Sequence, residues 1–123
     1  KYWSAVTVGL GEVFCPPFGA SRVLHMDTQR SVAELIGPDL GAGECKWRSI
    51  AMAGDTLAFS PPCCANQVLR IDTSERAVEA VGPDFCYGGY KYYDAVPGED
   101  GKVYCPPWNA TKVMRISPPG LDT

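Results

Sequence analysis

The groups in this chain able to do chemistry are one histidine, six cysteines and fourteen carboxylates among 123 residues. A Ser-His-Asp arrangement needs its histidine beside a sharply turned serine, and no G-x-S-x-G is present. His25 is followed at 45-residue intervals by Arg70 and Arg115, which marks a polar strand position rather than a catalytic one. Cys15 and Cys105 share one such position with Ser60 between them. They are expected as small buried residues in well-separated strands, since a disulfide needs Cα atoms within about 7 Å. Cys63 and Cys64 are adjacent, and no C-x-x-C exists to build a zinc site. The carboxylates, among them Glu12, Glu34, Asp55, Glu79, Glu99 and Asp100, are scattered, with no pair set apart by environment for acid–base work. Gly41-Ala42-Gly43 and Gly88-Gly89 lead into strand patterns, not into a helix that would cradle phosphate. The sequence therefore predicts no catalytic residue, metal site or cofactor.

Composition narrows the remaining classes. Charged residues make up 20% and the net charge is −3, so no basic field is available for a nucleic acid backbone. No apolar run approaches the ~18 residues of a membrane helix, and nothing near Lys1 resembles a signal peptide. A start at Lys1 rather than Met fits a processed or trimmed product. Asn109-Ala110-Thr111 is a glycosylation acceptor pattern. Its counterparts Gly19-Ala20-Ser21 and Cys64-Ala65-Asn66 are small or polar as well, so turn chemistry alone accounts for it. The sequence does not fix the compartment.

What must position these groups is a repeat. "VFCPPFGASRVLHMD" at 13–27 returns as "AFSPPCCANQVLRID" at 58–72 and "VYCPPWNATKVMRIS" at 103–117. The prolines Pro16-Pro17, Pro61-Pro62 and Pro106-Pro107 are spaced by 45 residues with no insertion. "IGPDL" returns as "VGPDF", and "KYWSAV" as "KWRSIA" and "KYYDAV". A fixed period in the range of roughly 20–50 residues marks a repeat architecture. The 123 residues hold one domain of about 2.7 units: 1–45, 46–90 and an incomplete 91–123. Each unit carries four short apolar stretches; in the second they are "KWRSIAMA", "TLAFS", "QVLRID" and "AVEAVG". Val68, Arg70 and Asp72 alternate with Leu69 and Ile71, the two-residue period of a strand with one buried face. No segment has a helical period over ten residues.

This pattern resembles β-propeller blades of the kelch/YVTN-like kind, over essentially the whole chain. Asp27 and Asp72 give way to Ser117, and the tail "SPPGLDT" lacks a fourth strand. The resemblance implies an all-β partial propeller of four-stranded antiparallel blades, with Lys46–Ala51 innermost and Ala77–Val81 outermost. It also implies a loop face bearing Phe18, Trp108, Tyr87 and Tyr90, with Asp39, Asp84, Lys1, Lys46 and Lys91 near the channel mouth. That face would take a protein or carbohydrate partner. The plainer alternative makes the Lys and Asp positions ties between blades and packs the aromatics between them. Because Phe18, Cys63 and Trp108 differ between units, that position is the stronger binding candidate. Cys45, Cys63, Cys64 and Cys86 fall in loops of the same face, where one disulfide is an option in an oxidising compartment. Closed propellers need about four to eight blades. Completion would come from self-association, a longer propeller or a larger complex. The expected function is a non-catalytic binding and assembly module. The alternatives are an accessory subunit held by open blade edges, and a propeller-type hydrolase or lyase completed by other chains.

Overall fold

The computed structural model describes residues 1–85 and 88–118. The described chain is all-β, with no helix, and forms three separate antiparallel sheets. The first contains β1 (Val6–Val8), β2 (Glu12–Cys15), β3 (Val23–Asp27) and β4 (Val32–Ile36). The middle sheet contains β5 (Ala51–Ala53), β6 (Leu57–Ser60), β7 (Val68–Asp72) and β8 (Ala77–Val81). The third contains β9 (Val96–Pro97), β10 (Val103–Cys105) and β11 (Met114–Ile116). In every sheet, strands adjacent in sequence are adjacent in space. No helix among the described residues is long and apolar enough to cross a membrane.

Local chemistry sets the strand ends. Asp27 and Asp72 each accept two backbone N–H groups from the turn that follows, at 3.1–3.3 Å. These Asx turns reverse the chain before β4 and β8. Ser31 and Arg76 close them with φ of 57° and 54°. The double prolines act differently. Pro lacks an N–H and cannot extend a ladder, so beside the prolines each first stretch forms only an isolated bridge: Tyr2↔Pro17, Trp47↔Pro62 and Tyr92↔Pro107. The expected strand over Lys46–Ala51 is accordingly replaced by that bridge and the short β5.

The three sheets stack head to tail. Phe14, Val23 and Ile36 of the first sheet pack on Ala58, Leu69, Ile71 and Val78 of the middle one. Phe59 and Val68, on the middle sheet's other face, pack on Val103, Met114 and Ile116 of the third. Val103, Met114 and Ile116 stand 45 residues beyond Ala58, Leu69 and Ile71, so the same joint is made twice. The middle sheet is thus covered on both sides, and Val68 and Leu69 are both fully buried. This differs from the one buried face that the alternation of β7 suggested: in a stack, the polar-looking face is also covered. Gly37, at φ 76°, lies where an added Cβ would come within 2.6 Å of Val78. Its backbone sits directly against β8, and a side chain would hold the two sheets apart.

Candidate functional site

The third residue of each first stretch is Trp3, Arg48 or Tyr93, again 45 apart. The Ser4 hydroxyl donates to the Arg48 carbonyl at 2.6 Å, drawing the first two stretches together. The Arg48 guanidinium then lies between two rings, with Cζ 5.0 Å from the Trp3 centroid and 4.2 Å from that of Tyr93. Both distances are within the reach of a cation–π contact. Each ring has a further neighbour. Phe18 sits against Trp3 at 5.1 Å, tilted by 32°. Trp108 stacks on Tyr93 at 4.7 Å and 10°, and Tyr90 meets Tyr93 edge-on at 6.1 Å. The result is one continuous ladder: Phe18, Trp3, Arg48, Tyr93, Trp108.

Much of this ladder faces solvent. Trp3 is 60% exposed, Trp108 63% and Tyr90 47%. A cleft of about 370 Å³ runs between Trp3, Arg48 and Tyr93, with Ser49 and Asp94 also in its wall. The buried Ser49 hydroxyl oxygen has no hydrogen-bond partner among the described residues. Desolvation, followed by the nearby thiols Cys63 and Cys45, raises the Tyr93 phenol above its ordinary value. It therefore remains a neutral donor at physiological pH. The surface offers flat apolar faces and one fixed positive charge.

Of the residues singled out from sequence, Phe18 and Trp108 cap the two ends of the ladder and Tyr90 joins its side. Tyr87 and Cys86 lie outside the described residues. Lys46 and Lys91 are buried, and their Nζ atoms donate to the carbonyls of Gly43 and Gly88 at 2.5 and 2.9 Å. Their backbones also act as struts: the Lys46 carbonyl accepts from Cys63 and Ala65, and the Lys91 carbonyl from Trp108 and Ala110. Burial lowers the Lys46 pKa, against the opposing pull of Glu44 and Asp39. Lys1 is exposed, and its carbonyl gathers the N–H groups of Phe18, Gly19 and Ala20. Asp39 is exposed and accepts the Gly41 N–H at 2.8 Å; Asp84 is exposed as well. Asn109 is exposed and donates to the Gly89 carbonyl at 3.2 Å.

Trp3, Arg48 and Tyr93 did not stand out in the sequence, because the lysine before them recurs and drew attention instead. The readable signal was their variation: Trp, Arg and Tyr at one position of an otherwise uniform phrase. Three of the four cysteines that the resemblance placed in loops of one face come together. Cys45 and Cys63 place their sulfurs 3.1 Å apart, and the sulfurs of Cys45, Cys63 and Cys64 all lie within 4.8 Å of one another. The five described cysteines are free thiols. Desolvation raises the pKa values of Cys45 and Cys63, as it does that of Cys105, pushed up to about 12.

His25 is 2% exposed and wedged between two carboxylates. Nε2 lies 2.8 Å from Glu12 and Nδ1 3.0 Å from Glu34. The cross-strand pair His25–Glu34 is repeated by Arg70–Glu79 one unit later. The histidine thus occupies an ion-pair position of the sheet.

No family model matches the chain, and no curated protein is similar to it. Among solved structures, it is similar to the extracellular domain of a protein assigned as a hybrid two-component system, BT4673, from B. thetaiotaomicron. The TM-score is 0.62 at 12% identity, over 98% of this chain and 15% of that one. This chain therefore spans a small part of that structure's length, and the likeness concerns the fold.

Proposed function

We infer that the three sheets are successive blades of a propeller-type stack, and that the chain is a binding module working through the ladder of Phe18, Trp3, Arg48, Tyr93 and Trp108. The meander order within each sheet and the joint repeated at 45 residues support the blade reading. One observation carries the binding reading: a guanidinium held between two rings, with exposed tryptophans on either side. Stacked aromatic faces bind apolar surface at low conformational cost, and a fixed charge orients the ligand. The matching class is a carbohydrate, with an acidic sugar opposite Arg48.

Titration with neutral and uronic acid oligosaccharides, followed by tryptophan fluorescence and calorimetry, tests this. Saturable binding that weakens in Trp3→Ala and Arg48→Ala is the expected result. If no oligosaccharide binds, the carbohydrate assignment fails and a protein ligand becomes the alternative.

A second reading rests on a separate observation. The first sheet's counterpart of the receiving face, with Leu24 and Met26 at the positions of Leu69 and Ile71, meets no other sheet among the described residues. Leu35 on β4 is exposed. A face built to receive another sheet suits an accessory subunit, or a copy added head to tail. A concentration-dependent mass in solution would support it. The hydrolase or lyase alternative gains nothing from His25, which is committed to Glu12 and Glu34.

A further inference from the structure

Tyr90, which closes the second unit, and Trp108 of the third are two rungs of an aromatic cluster around Tyr93. Their counterparts 45 residues earlier are Cys45 and Cys63. The backbone is the same in both places: Cys45 and Tyr90 each hold φ of 55°, and the N–H of Cys64, like that of Asn109, donates to the left-handed residue's carbonyl. The scaffold therefore does not require sulfur here. Two rings have been replaced by two thiols facing each other, and Cys64 adds a third.

We propose that Cys45, Cys63 and Cys64 form a three-thiolate binding site for a soft monovalent metal ion of the copper(I) class. The donor set comes first in the argument. No carboxylate or imidazole belongs to the cluster, so hard cations such as magnesium and calcium are poorly served. Zinc in structural sites takes four ligands, whereas copper(I) is satisfied by three sulfurs. Geometry agrees. With metal–sulfur bonds of about 2.3 Å, a trigonal site needs sulfurs about 4.0 Å apart. All three sulfurs lie within 4.8 Å, so the 3.1 Å pair must open by roughly 1 Å.

The site is also held and reachable. Cys63 donates its N–H to Lys46, Cys64 to Cys45, and the Cys63 carbonyl accepts from Lys91, so three backbone bonds fix the ligands before any ion arrives. Cys45 and Cys63 are buried, while the half-buried Cys64 borders an open cleft of about 360 Å³ that also touches Lys46 and Trp47. Binding exchanges three S–H protons for one Cu⁺. Three protons go to solvent, three copper–sulfur bonds form, and no electron changes hands. The charge of −2 left on the cluster lies next to Lys46 in the chain and within the electrostatic reach of Arg48.

Reduced protein, kept free of oxygen, is titrated with Cu(I) against the coloured chelator bicinchoninate. The expected result is one copper withdrawn per chain, with a near-ultraviolet sulfur-to-copper absorption. Cys45→Ser, Cys63→Ser and Cys64→Ser should each lose at least tenfold in affinity. Cys15→Ser should keep it, because Ser60 already occupies that position in the second unit. Alkylation of the unaltered protein gives a readout free of folding defects: bound copper should shield Cys64 from iodoacetamide. Copper left entirely on the chelator, a Cys64→Ser protein that binds as tightly as its parent, or a Cys64 that alkylates at full rate with copper bound would each overturn the site.

Discussion

The second and third units share a frame and differ in what they mount on it. In both, a buried lysine donates to the carbonyl three residues before it, a bridge pairs the next aromatic residue with a proline, and a left-handed residue precedes the lysine. Around the frame at the start of the second unit stand Cys45, Arg48 and Cys63, where the start of the third has Tyr90, Tyr93 and Trp108. The difference separates two kinds of constraint. Recurring residues satisfy backbone groups that every copy leaves open, and their identity follows from geometry. The varying residues touch solvent or one another and are free to differ, so chemistry collects there.

The comparison can be broken most severely at the core. Phe59 is fully buried between the middle and third sheets, whereas Tyr104, its counterpart, is half-buried and bonded through its hydroxyl to Asp100 at 2.5 Å. Phe59→Ala should cost about 3–5 kcal/mol, and Tyr104→Phe less than about 1 kcal/mol, both measured by urea unfolding. A Tyr104→Phe cost as large as that of Phe59→Ala would contradict the half-buried place of the Tyr104 hydroxyl. Next come the lysines. Lys46→Met and Lys91→Met each leave a carbonyl without its charged donor and should each cost about 1.5–3 kcal/mol. A near-neutral result at one site alone would end the claim that the frames are equivalent. Trp108→Ala should change stability by no more than about 0.5 kcal/mol, because this ring is mostly in water. Its effect belongs in ligand titrations instead.

The smallest effect belongs to the first unit, where Glu12 stands in place of Leu57 and Lys102. The His25 hydrogen bond, and then Arg76, hold the Glu12 pKa below its ordinary value. A depressed carboxylate contributes stability above its unfolded pKa, and that contribution fades as pH falls through the folded one. Glu12→Gln should therefore cost more at pH 7 than at the acid end of the carboxylate range. Solvent screening keeps the difference small. A pH-independent cost would remove the ion pair from the account.

The sequence made the frame legible because repetition amplified it. Three copies of one phrase located the prolines and the β6, β7 and β8 strands almost residue by residue. Phe18 and Trp108 drew attention through their variation, and they lie at the two ends of the ladder. Arg48 stayed hidden, since nothing local shows that an arginine will lie between rings contributed from 45 residues on either side. The resemblance put Cys45, Cys63 and Cys64 in loops of one face, but no spacing showed that their sulfurs converge as a ligand set. Metal-site spacings describe ligands on one turn, and Cys45 reaches Cys63 across the junction between two copies.

The head-to-tail stacking has a consequence for inheritance. Each sheet ends in the surface that the next one begins with, so a whole 45-residue copy can be gained or lost by recombination and every joint that remains is still of the same type. A gain or loss of any other length breaks the joint at which it falls. Lineages of such chains are expected to differ in steps of one complete unit, with novelty confined to the few positions that the joint ignores.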